Sequence, residues 1–451
     1  MRQSPSVLAP LWFLGLFLRT AHAIECVNVT IADADDAAEV RRDCTVISGD
    51  LYFAKYFNET INLDGVVEIT GNIFHKGCEE DWEECELPLP FSISSSTLTE
   101  VGGDIQFKYF QGLQELSFPN LTLVQGSVLL RRVHELERLD ITKLARLGYF
   151  ALEAANLTSL QHERLEAFTG DNKYGAVSLG AAAVESVDSF FSYPIYANGS
   201  AEQSSVYINT GRLPNVREIN FGWARVDTLS IRGNDIAVTL GTSRTTSMEI
   251  GSLIIDGNIT GVSRHESVKN LTVGRCTVGS VHSTKSLELP FDQLANLTIK
   301  LSKGLETVKL PQAALNWEDF GLDIWSCGKL DLGSEYVDNE RVWYWPEKNI
   351  TSISMYEVNV STSFFDSFLE NHKNGNNTQK VLEEFKLLRD QSIAPGLDCT
   401  PFDELHARGV LPDEYSCGNS TFYTDSVASP IVARNVWHYG VAFAAIALGY
   451  I

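Results

Sequence analysis

The chain has 451 residues, of which 44% are hydrophobic and 10% aromatic, a composition too rich in apolar side chains for a disordered protein. Its formal charge of −23 at pH 7 has the wrong sign for binding DNA, RNA or an anionic membrane surface. At roughly 150 residues per domain, this length fits two or three domains or one long repeat array.

The first 23 residues have the pattern of a secretory signal peptide. Arg2 supplies a positive charge, residues 8–18 form an apolar run, and Ala21 and Ala23 define a small-x-small cleavage site. A signal anchor is the alternative, but the run is shorter than the roughly 20 residues that span a bilayer. We therefore expect an exported protein whose mature chain begins at Ile24.

The cysteine count agrees with export, because an even number in an exported chain indicates disulfide bonds. None of the cysteines forms a CxxC pair, so zinc-ribbon and thioredoxin chemistry lack support. Proximity in sequence predicts the bonds Cys26–Cys44, Cys78–Cys85 and Cys399–Cys417. The other two cysteines, Cys276 and Cys327, remain only by elimination, and their pairing stays open.

Asn-x-Ser/Thr sequons are the second sign of export, and they predict a heavily N-glycosylated surface. Twelve of them begin at Asn28, Asn58, Asn120, Asn156, Asn198, Asn258, Asn270, Asn296, Asn349, Asn359, Asn376 and Asn419.

Short apolar alternations recur beside a glycine in the first part of the chain. These glycines stand at positions 49, 71, 103, 126 and 148, so their intervals are 22, 32, 23 and 22 residues. The long interval contains the segment from Cys78 to Cys85, which we interpret as an insertion. A period of 20 to 29 residues with one short strand per repeat indicates a solenoid.

Each of the first four glycines is followed by a polar residue, as in Gly49-Asp50 and Gly71-Asn72. A glycine at this place fits a corner that needs a positive φ or a close approach of two backbones. The polar side chain after it can bond the backbone of the turn.

The second part of the chain repeats the theme with more variation. Strand-like segments start at residues 206, 229, 253, 271, 297 and 322, at intervals of 23, 24, 18, 26 and 25. Residues 169–205 are rich in Gly, Ala and Ser and mark either a boundary or looped-out turns. In a solenoid Cys276 and Cys327 would lie two turns and about 10 Å apart, beyond an unstrained disulfide, so their pairing would need a loop excursion.

After residue 360 the periodicity changes to helical spacing. One predicted helix contains Phe364, Phe365, Phe368 and Leu369, and a second contains Val381, Leu382, Phe385 and Leu388. Solenoids need an end cap, which these helices and the Cys399–Cys417 loop would provide. The predicted fold is therefore mainly β: a right-handed parallel β-helix or leucine-rich-repeat-like solenoid with halves at 24–170 and 171–359 and a helical, disulfide-closed cap at 360–418.

The last 16 residues, 436–451, form an apolar run that is too short and too polar for a confident membrane span. A linker at 419–435 precedes it and contains small residues. This order is typical of a GPI-attachment signal, in which a lipid replaces the tail. We predict attachment at Ser426, with Asn419 as the second choice; a C-terminal helix packed on the domain is the alternative.

Four features occur together in this chain: Cys26 and Cys44 before the segment 47–51, the repeat 61–72, the ending Asp398-Cys-x-Pro-Phe-Asp before Cys417, and the tail. In this combination they resemble the fungal GPI-anchored cell-wall organisation proteins. This resemblance implies two receptor-L-domain-like halves and a plasma-membrane or wall-bound glycoprotein without defined catalytic residues. The chain departs from that family in having only nine residues, 418–426, where a long Ser/Thr-rich stalk is usual, which favours a position close to the membrane.

The sequence contains no P-loop, GxGxxG, HExxH or GxSxG motif. The carboxylate-rich loop 79–86 could bind calcium, but it lacks the EF-hand order, and a solvated insertion is the simpler interpretation. The aromatic pair Trp343 and Trp345 could contact wall glycan or pack beneath a loop. We expect the protein to bind no cofactor, metal or nucleic acid. We expect it to act at the cell surface by binding wall glycan or another surface protein. The alternatives are a wall-polysaccharide-modifying enzyme and a receptor for a protein ligand.

Overall fold

A computed structural model describes residues 25–54, 59–75, 90–110, 112–169, 176–196, 204–310, 320–328, 330–333, 335–337, 340–342, 345–346, 348–358, 362–373, 378–390 and 398–420. Within these ranges the chain forms 30 β-strands and three α-helices. Nearly all strand pairs are parallel, and the fold is a parallel β-solenoid. The predicted fold class is therefore confirmed.

Helix α1 (Ala34–Asp43) lies at the N-terminal end of the solenoid, where it packs against β1 (Glu25–Ile31) and β3 (Ile61–Asn62). Its N-cap is Asp33, whose carboxylate accepts hydrogen bonds from the backbone N–H groups of Asp35 and Asp36, each at 3.0 Å. The helix buries Ala37 and Val40 and so covers the first turn.

The first part of the solenoid is a main sheet and a second sheet that run side by side. Its further strands are β2 (Val46–Phe53), β4 (Glu68–Ile69), β5 (Ile73–His75), β6 (Phe91–Ser94), β7 (Glu100–Val101), β8 (Ile105–Lys108), β9 (Leu113–Ser117), β10 (Leu123–Arg131), β11 (Arg138–Asp140), β12 (Arg146–Ala154), β13 (Ser159–Gln161), β14 (Ala167–Phe168) and β15 (Val177–Ala182). Strands β3, β6, β9, β11 and β13 form the second sheet, and the others join the main sheet.

A column of apolar side chains fills the space between the two sheets. In the main sheet Ile47, Ile69, Val101, Val124 and Leu147 are neighbours on successive strands, and each is fully buried. Each turn thus stacks an aliphatic side chain on the equivalent side chain of the turn below. This stacking explains why an aliphatic residue recurs at the same place in each repeat.

The polar residues beside the repeat glycines form a hydrogen-bonded ladder along the solenoid axis. Each side-chain oxygen accepts the backbone N–H of the equivalent residue in the next turn: Asn28 from Asp50 at 3.0 Å, Asp50 from Asn72 at 2.7 Å, Asn72 from Asp104 at 2.7 Å, and Asp104 from Ser127 at 2.6 Å. The bond from Asn72 holds the pKa of Asp50 below its ordinary value. The predicted bonding to backbone is confirmed, but it links neighbouring turns.

Glycine is required in this column mainly because the ladder leaves no room. A Cβ atom at Gly103 would overlap the Oδ1 atom of Asn72 and the backbone of Gly71. Only Gly49 also has a positive φ, of 98°. Of the two reasons anticipated for these glycines, close backbone approach therefore applies at Gly103 and a positive φ at Gly49.

The second part continues the same main sheet through the region where the sequence pattern blurs. Its strands are β16 (Ser205–Asn209), β17 (Glu218–Phe221), β18 (Arg225–Leu240), β19 (Ser247–Arg264), β20 (Asn270–Gly279), β21 (Ser286–Glu288), β22 (Gln293–Lys300), β23 (Thr307–Lys309), β24 (Phe320–Gly328), β25 (Asp331–Gly333), β26 (Glu335–Val337), β27 (Glu340–Val342) and β28 (Ile350–Val358). Strands β15 and β16 pair in register, so the parallel sheet is continuous here.

The long strands β18 and β19 bend, and each contributes to both faces of the solenoid. Their first halves pair within the main sheet, and their second halves continue the other face, where β17 joins β18. Strands β21, β23 and β25 form the second face of the next turns. Strands β26 and β27 are a short antiparallel hairpin.

The C-terminal segment contains one correction to the predicted cap. Helices α2 (Asp366–Lys373) and α3 (Thr400–Ala407) are present, and α2 overlaps the first predicted helix. The second predicted helix is instead strand β29 (Val381–Asp390), which pairs with β28 and with β30 (Tyr415–Ser420). Its buried side chains are Val381, Phe385 and Leu387, which alternate from residue 385 onward, and the open edge of β28 supplies its hydrogen-bond partners.

The two described terminal disulfides form as predicted. Cys26–Cys44 ties β1 to the end of α1, with the Cα atoms 5.6 Å apart, and Cys399–Cys417 ties α3 to β30, with the Cα atoms 5.8 Å apart. Cys78 and Cys85 lie outside the described residues.

Cys276 and Cys327 are free thiols, so the pairing that the sequence left open does not form. Cys276 lies on β20, where it aligns with Leu297 on β22 and Leu322 on β24. Cys327 is also on β24, so the two cysteines are on strands that are two positions apart in the sheet. Cys276 occupies a buried core position between Leu253 of β19 and Leu297 of β22 and acts there as a small apolar side chain.

Candidate functional site

The aromatic pair nominated from the sequence does not form a described surface. Trp345 is 3% exposed, lies stacked on Phe365 at 5.3 Å, and donates its indole N–H to the carbonyl of Phe364 at 2.9 Å. Its ring therefore offers no face to a glycan, in agreement with the packing alternative. Trp343 lies outside the described residues.

The sequons are distributed over many turns of the solenoid. Among those whose side chains are described, Asn28, Asn156, Asn270 and Asn349 are exposed, whereas Asn120, Asn258 and Asn296 are half-buried. The Asn120 amide donates to the carbonyl of Ser96 at 2.7 Å, and the Asn258 oxygen accepts two backbone N–H groups. The other sequon side chains, at 58, 198, 359, 376 and 419, lie outside the described set.

A group of polar and aromatic side chains projects from the outer face of the main sheet near its C-terminal end. Register places Asp323 of β24 beside Ser354 of β28, places Ser354 beside Lys386 of β29, and places Trp325 beside Tyr356. Successive outward positions on a strand differ by two residues, so Trp325 is also the outward neighbour of Asp323. We name the lateral cluster by its six residues: Asp323, Trp325, Ser354, Tyr356, Glu384 and Lys386.

Three polar contacts fix one side of the lateral cluster. The Ser354 hydroxyl donates to Glu384 Oε1 at 2.5 Å, and Lys386 Nζ lies 3.2 Å from Glu384 Oε2 and 3.5 Å from Glu414 Oε2. Burial disfavours the charged form of Lys386, but its hydrogen bond to Glu384 and the surrounding negative charge outweigh that effect and raise its pKa. The ammonium group is therefore held in place by two carboxylates.

Asp323 differs from its neighbours because no described residue forms a hydrogen bond or ion pair with its carboxylate. Burial raises the pKa of Asp323 to about 6, the negative charge of Glu384 adds to the increase, and the charge of Lys300 opposes it. Burial also raises the pKa of the adjacent Tyr356. A half-buried carboxyl group with a displaced pKa and open acceptor positions is typical of a functional site.

A column of residues in the left-handed region crosses four neighbouring strands beside the lateral cluster. Ser280, Leu301, Ser326 and Glu357 have φ values of 55°, 51°, 52° and 50°. Ser280 and Leu301 directly follow β20 and β22, whereas their register equivalents Ser326 and Glu357 lie within β24 and β28. The backbone therefore turns sharply at the same place in each of these turns, directly after Trp325 and Tyr356.

A second group of polar side chains lies beside β13, in the first part of the solenoid. His162 Nε2 is 2.9 Å from the carbonyl of Leu144, which can only accept, so Nδ1 accepts the hydroxyl of Ser189 at 3.0 Å. The imidazole is stacked on Phe190, and burial lowers the pKa of His162 to about 4. This hydroxyl–imidazole pair is connected to the backbone of a third segment and ties consecutive turns together.

Neither free cysteine has the environment of a reactive thiol. Burial raises the pKa of Cys276, and it raises the pKa of Cys327 to about 11. Within the described ranges, no group of three or more His, Cys, Asp or Glu side chains could hold a metal ion.

Sequence reasoning missed the lateral cluster. The signal is the alternation of buried and half-buried residues along β24 and β29, which marks the outward positions. Alternation alone cannot align Asp323 with Lys386, because the loops between these strands differ in length and the register depends on them.

In the part of the chain that the structure describes, no helix is long and apolar enough to cross a membrane. The tail at 436–451 and the residue Ser426 lie outside that part. Comparison of the chain with protein-family models, with curated proteins and with solved structures gave no match.

Proposed function

We propose that the chain is an exported, N-glycosylated, GPI-anchored surface protein that organises the fungal cell wall by binding or scaffolding. The observation that carries this proposal is the lateral cluster, an outward row of polar and aromatic side chains on a continuous sheet. Solenoids present broad lateral surfaces of this kind to large ligands. The resemblance noted from the sequence supplies the wall context, and wall glycan or a surface protein is the partner class.

The position of the last strand supports Ser426 as the anchor site. Asn419 lies within β30, where it pairs with Arg389, so attachment there would place the lipid inside the sheet. Ser426 follows the end of β30 by six residues, which would leave the sheet intact. We expect phosphatidylinositol-specific phospholipase C to release the protein from intact cells; full retention after that treatment would contradict the anchor.

The test of the binding function is retention of residues 24–425 on insoluble β-glucan and chitin. This secreted form contains every described strand and helix, and it is assayed both native and deglycosylated. Saturable retention of both samples would support binding to wall glycan. No retention of either sample would contradict glycan binding and would redirect the search to a stoichiometric protein partner.

A second candidate function is modification of a wall polysaccharide, and one observation favours it. Asp323 and Glu384 are carboxyl groups on strands of one sheet face, and the pKa of Asp323 is about 6. Glycoside hydrolysis uses a proton-donating carboxyl group and a second carboxylate. Release of reducing ends or transglycosylation products by wild type, and its loss in Asp323→Asn, would establish this activity in place of pure binding.

A further inference from the structure

The carboxylate of Asp323 has acceptor positions that the described protein leaves unused. The neighbouring Ser354 hydroxyl is committed to Glu384, and the Lys386 ammonium is committed to Glu384 and Glu414. A half-buried carboxylate without donors is unfavourable, because it has lost part of its hydration and gained no hydrogen bonds in return. A ligand that brings hydroxyl donors would supply them.

Two aromatic side chains lie next to this acceptor on the same face. Trp325 and Tyr356 are register partners on adjacent strands, so their backbones are about 4.8 Å apart. Both residues are half-buried. Aromatic rings beside hydrogen-bonding groups suit a ligand that has both an apolar face and polar edges.

The charges around the site select against ionic ligands. Asp323, Glu384 and Glu414 would repel an anion, while Lys300 and Lys386 would oppose a cation. The lysines also reduce the attraction that a metal ion would find among these carboxylates. A neutral polyol avoids both penalties and can accept from ammonium groups as well as donate to carboxylates.

We propose that the lateral cluster is a subsite for a neutral hexose unit of a glycan chain, in which Trp325 and Tyr356 pack on the sugar ring and Asp323 accepts its hydroxyl groups. This inference rests on the proposed function and names the residues and ligand class that carry it. It also moves the predicted aromatic contact from Trp345, which is buried, to the outer sheet face.

The test is calorimetric titration of residues 24–425 with a β-1,3-glucan hexasaccharide and with a chitin hexasaccharide. We expect Trp325→Ala and Asp323→Asn each to weaken binding of the preferred oligosaccharide by roughly tenfold. Tyr196→Ala is the matched control, because Tyr196 is a 65% exposed aromatic residue outside the cluster, and its affinity should equal that of wild type. If Trp325→Ala fails to fold, Asp323→Asn provides the test, because the Asp and Asn side chains have nearly the same shape.

The outcomes separate this inference from the function on which it rests. Weaker binding in both cluster variants, with the control unchanged, supports the subsite. Wild-type affinity in the cluster variants, together with retention of wild type on insoluble glycan, overturns the subsite and leaves the proposed function standing. No binding of wild type to oligosaccharide or to insoluble glycan overturns both.

Discussion

Protonation of His162 should destabilise the fold in mild acid. Its imidazole is enclosed between the Leu144 carbonyl, the Ser189 hydroxyl and the ring of Phe190, and its pKa is about 4. An unfolded chain would titrate this group near pH 6.5. Because the folded pKa is lowered, the unfolded state binds the extra proton first, and the stabilisation is complete above pH 6.5 and lost as the pH falls towards 4.

The magnitude follows from the displacement of the pKa. Each pH unit between the two values changes the free energy of unfolding by about 1.4 kcal/mol, so the loss is about 2 kcal/mol at pH 5 and about 3 kcal/mol below pH 4. Other groups titrate in the same range. The informative quantity is therefore the difference in pH dependence between wild type and His162→Gln.

Urea unfolding at pH 7, 6, 5 and 4.5 measures this difference. Trp223 is a suitable fluorescent reporter, because it is buried and donates its indole N–H to the carbonyl of Phe190, the residue stacked on His162. His162→Gln should be less stable at pH 7 and should lose less stability on acidification. His134→Gln, at an exposed histidine, is the control; parallel pH profiles for wild type and His162→Gln would refute the reasoning.

Three further predictions concern other parts of the fold. Asn72→Ala breaks the ladder and leaves a backbone N–H without its acceptor, so urea unfolding should show a loss of about 1 to 3 kcal/mol, whereas Gln161→Ala, at an exposed position outside the predicted glycosylation sites, should change little. Replacing Cys399 and Cys417 with Ala should lower the free energy of unfolding by about 3 kcal/mol on the chain-entropy model, and an unchanged urea midpoint would contradict this. Asp323→Asn should stabilise the protein at pH 7 but not at pH 3.5. Because the pKa of Asp323 is raised in the folded state, the wild-type carboxyl group stabilises the fold below its unfolded pKa of 3.8, and this stabilisation is lost as the pH rises through 6. Equal thermal midpoints of the two proteins at pH 7 would contradict the burial argument.

The sequence could predict the solenoid because its strongest signals are local. Gly71 and Asn72 recur with a fixed spacing, and the structure shows why: the glycine allows a close approach of two turns and the polar side chain bonds the next turn. The same local order predicted the two described disulfides, since each closes a separation of 18 residues. Short-range constraints of this kind leave a pattern in the sequence.

Features that depend on the alignment of distant segments could not be predicted in this way. The segment from Val381 to Leu388 has apolar residues at helical spacing, but the open edge of β28 makes it a strand. Asp323 and Lys386 share one row of the sheet only because loops of unequal length bring β24, β28 and β29 into register. The sequence left the pairing of Cys276 open, because its buried position between Leu253 and Leu297 depends on the same kind of alignment.

The lateral cluster lies on the last turns of the solenoid, and this position determines how a mechanical load would pass through the molecule. If a wall glycan binds there and the lipid is attached at Ser426, tension between wall and membrane crosses β24, β28, β29 and β30 and the segment closed by Cys399–Cys417. The turns from β1 to β22, which extend over tens of ångströms, would then carry no tension and project freely into the wall.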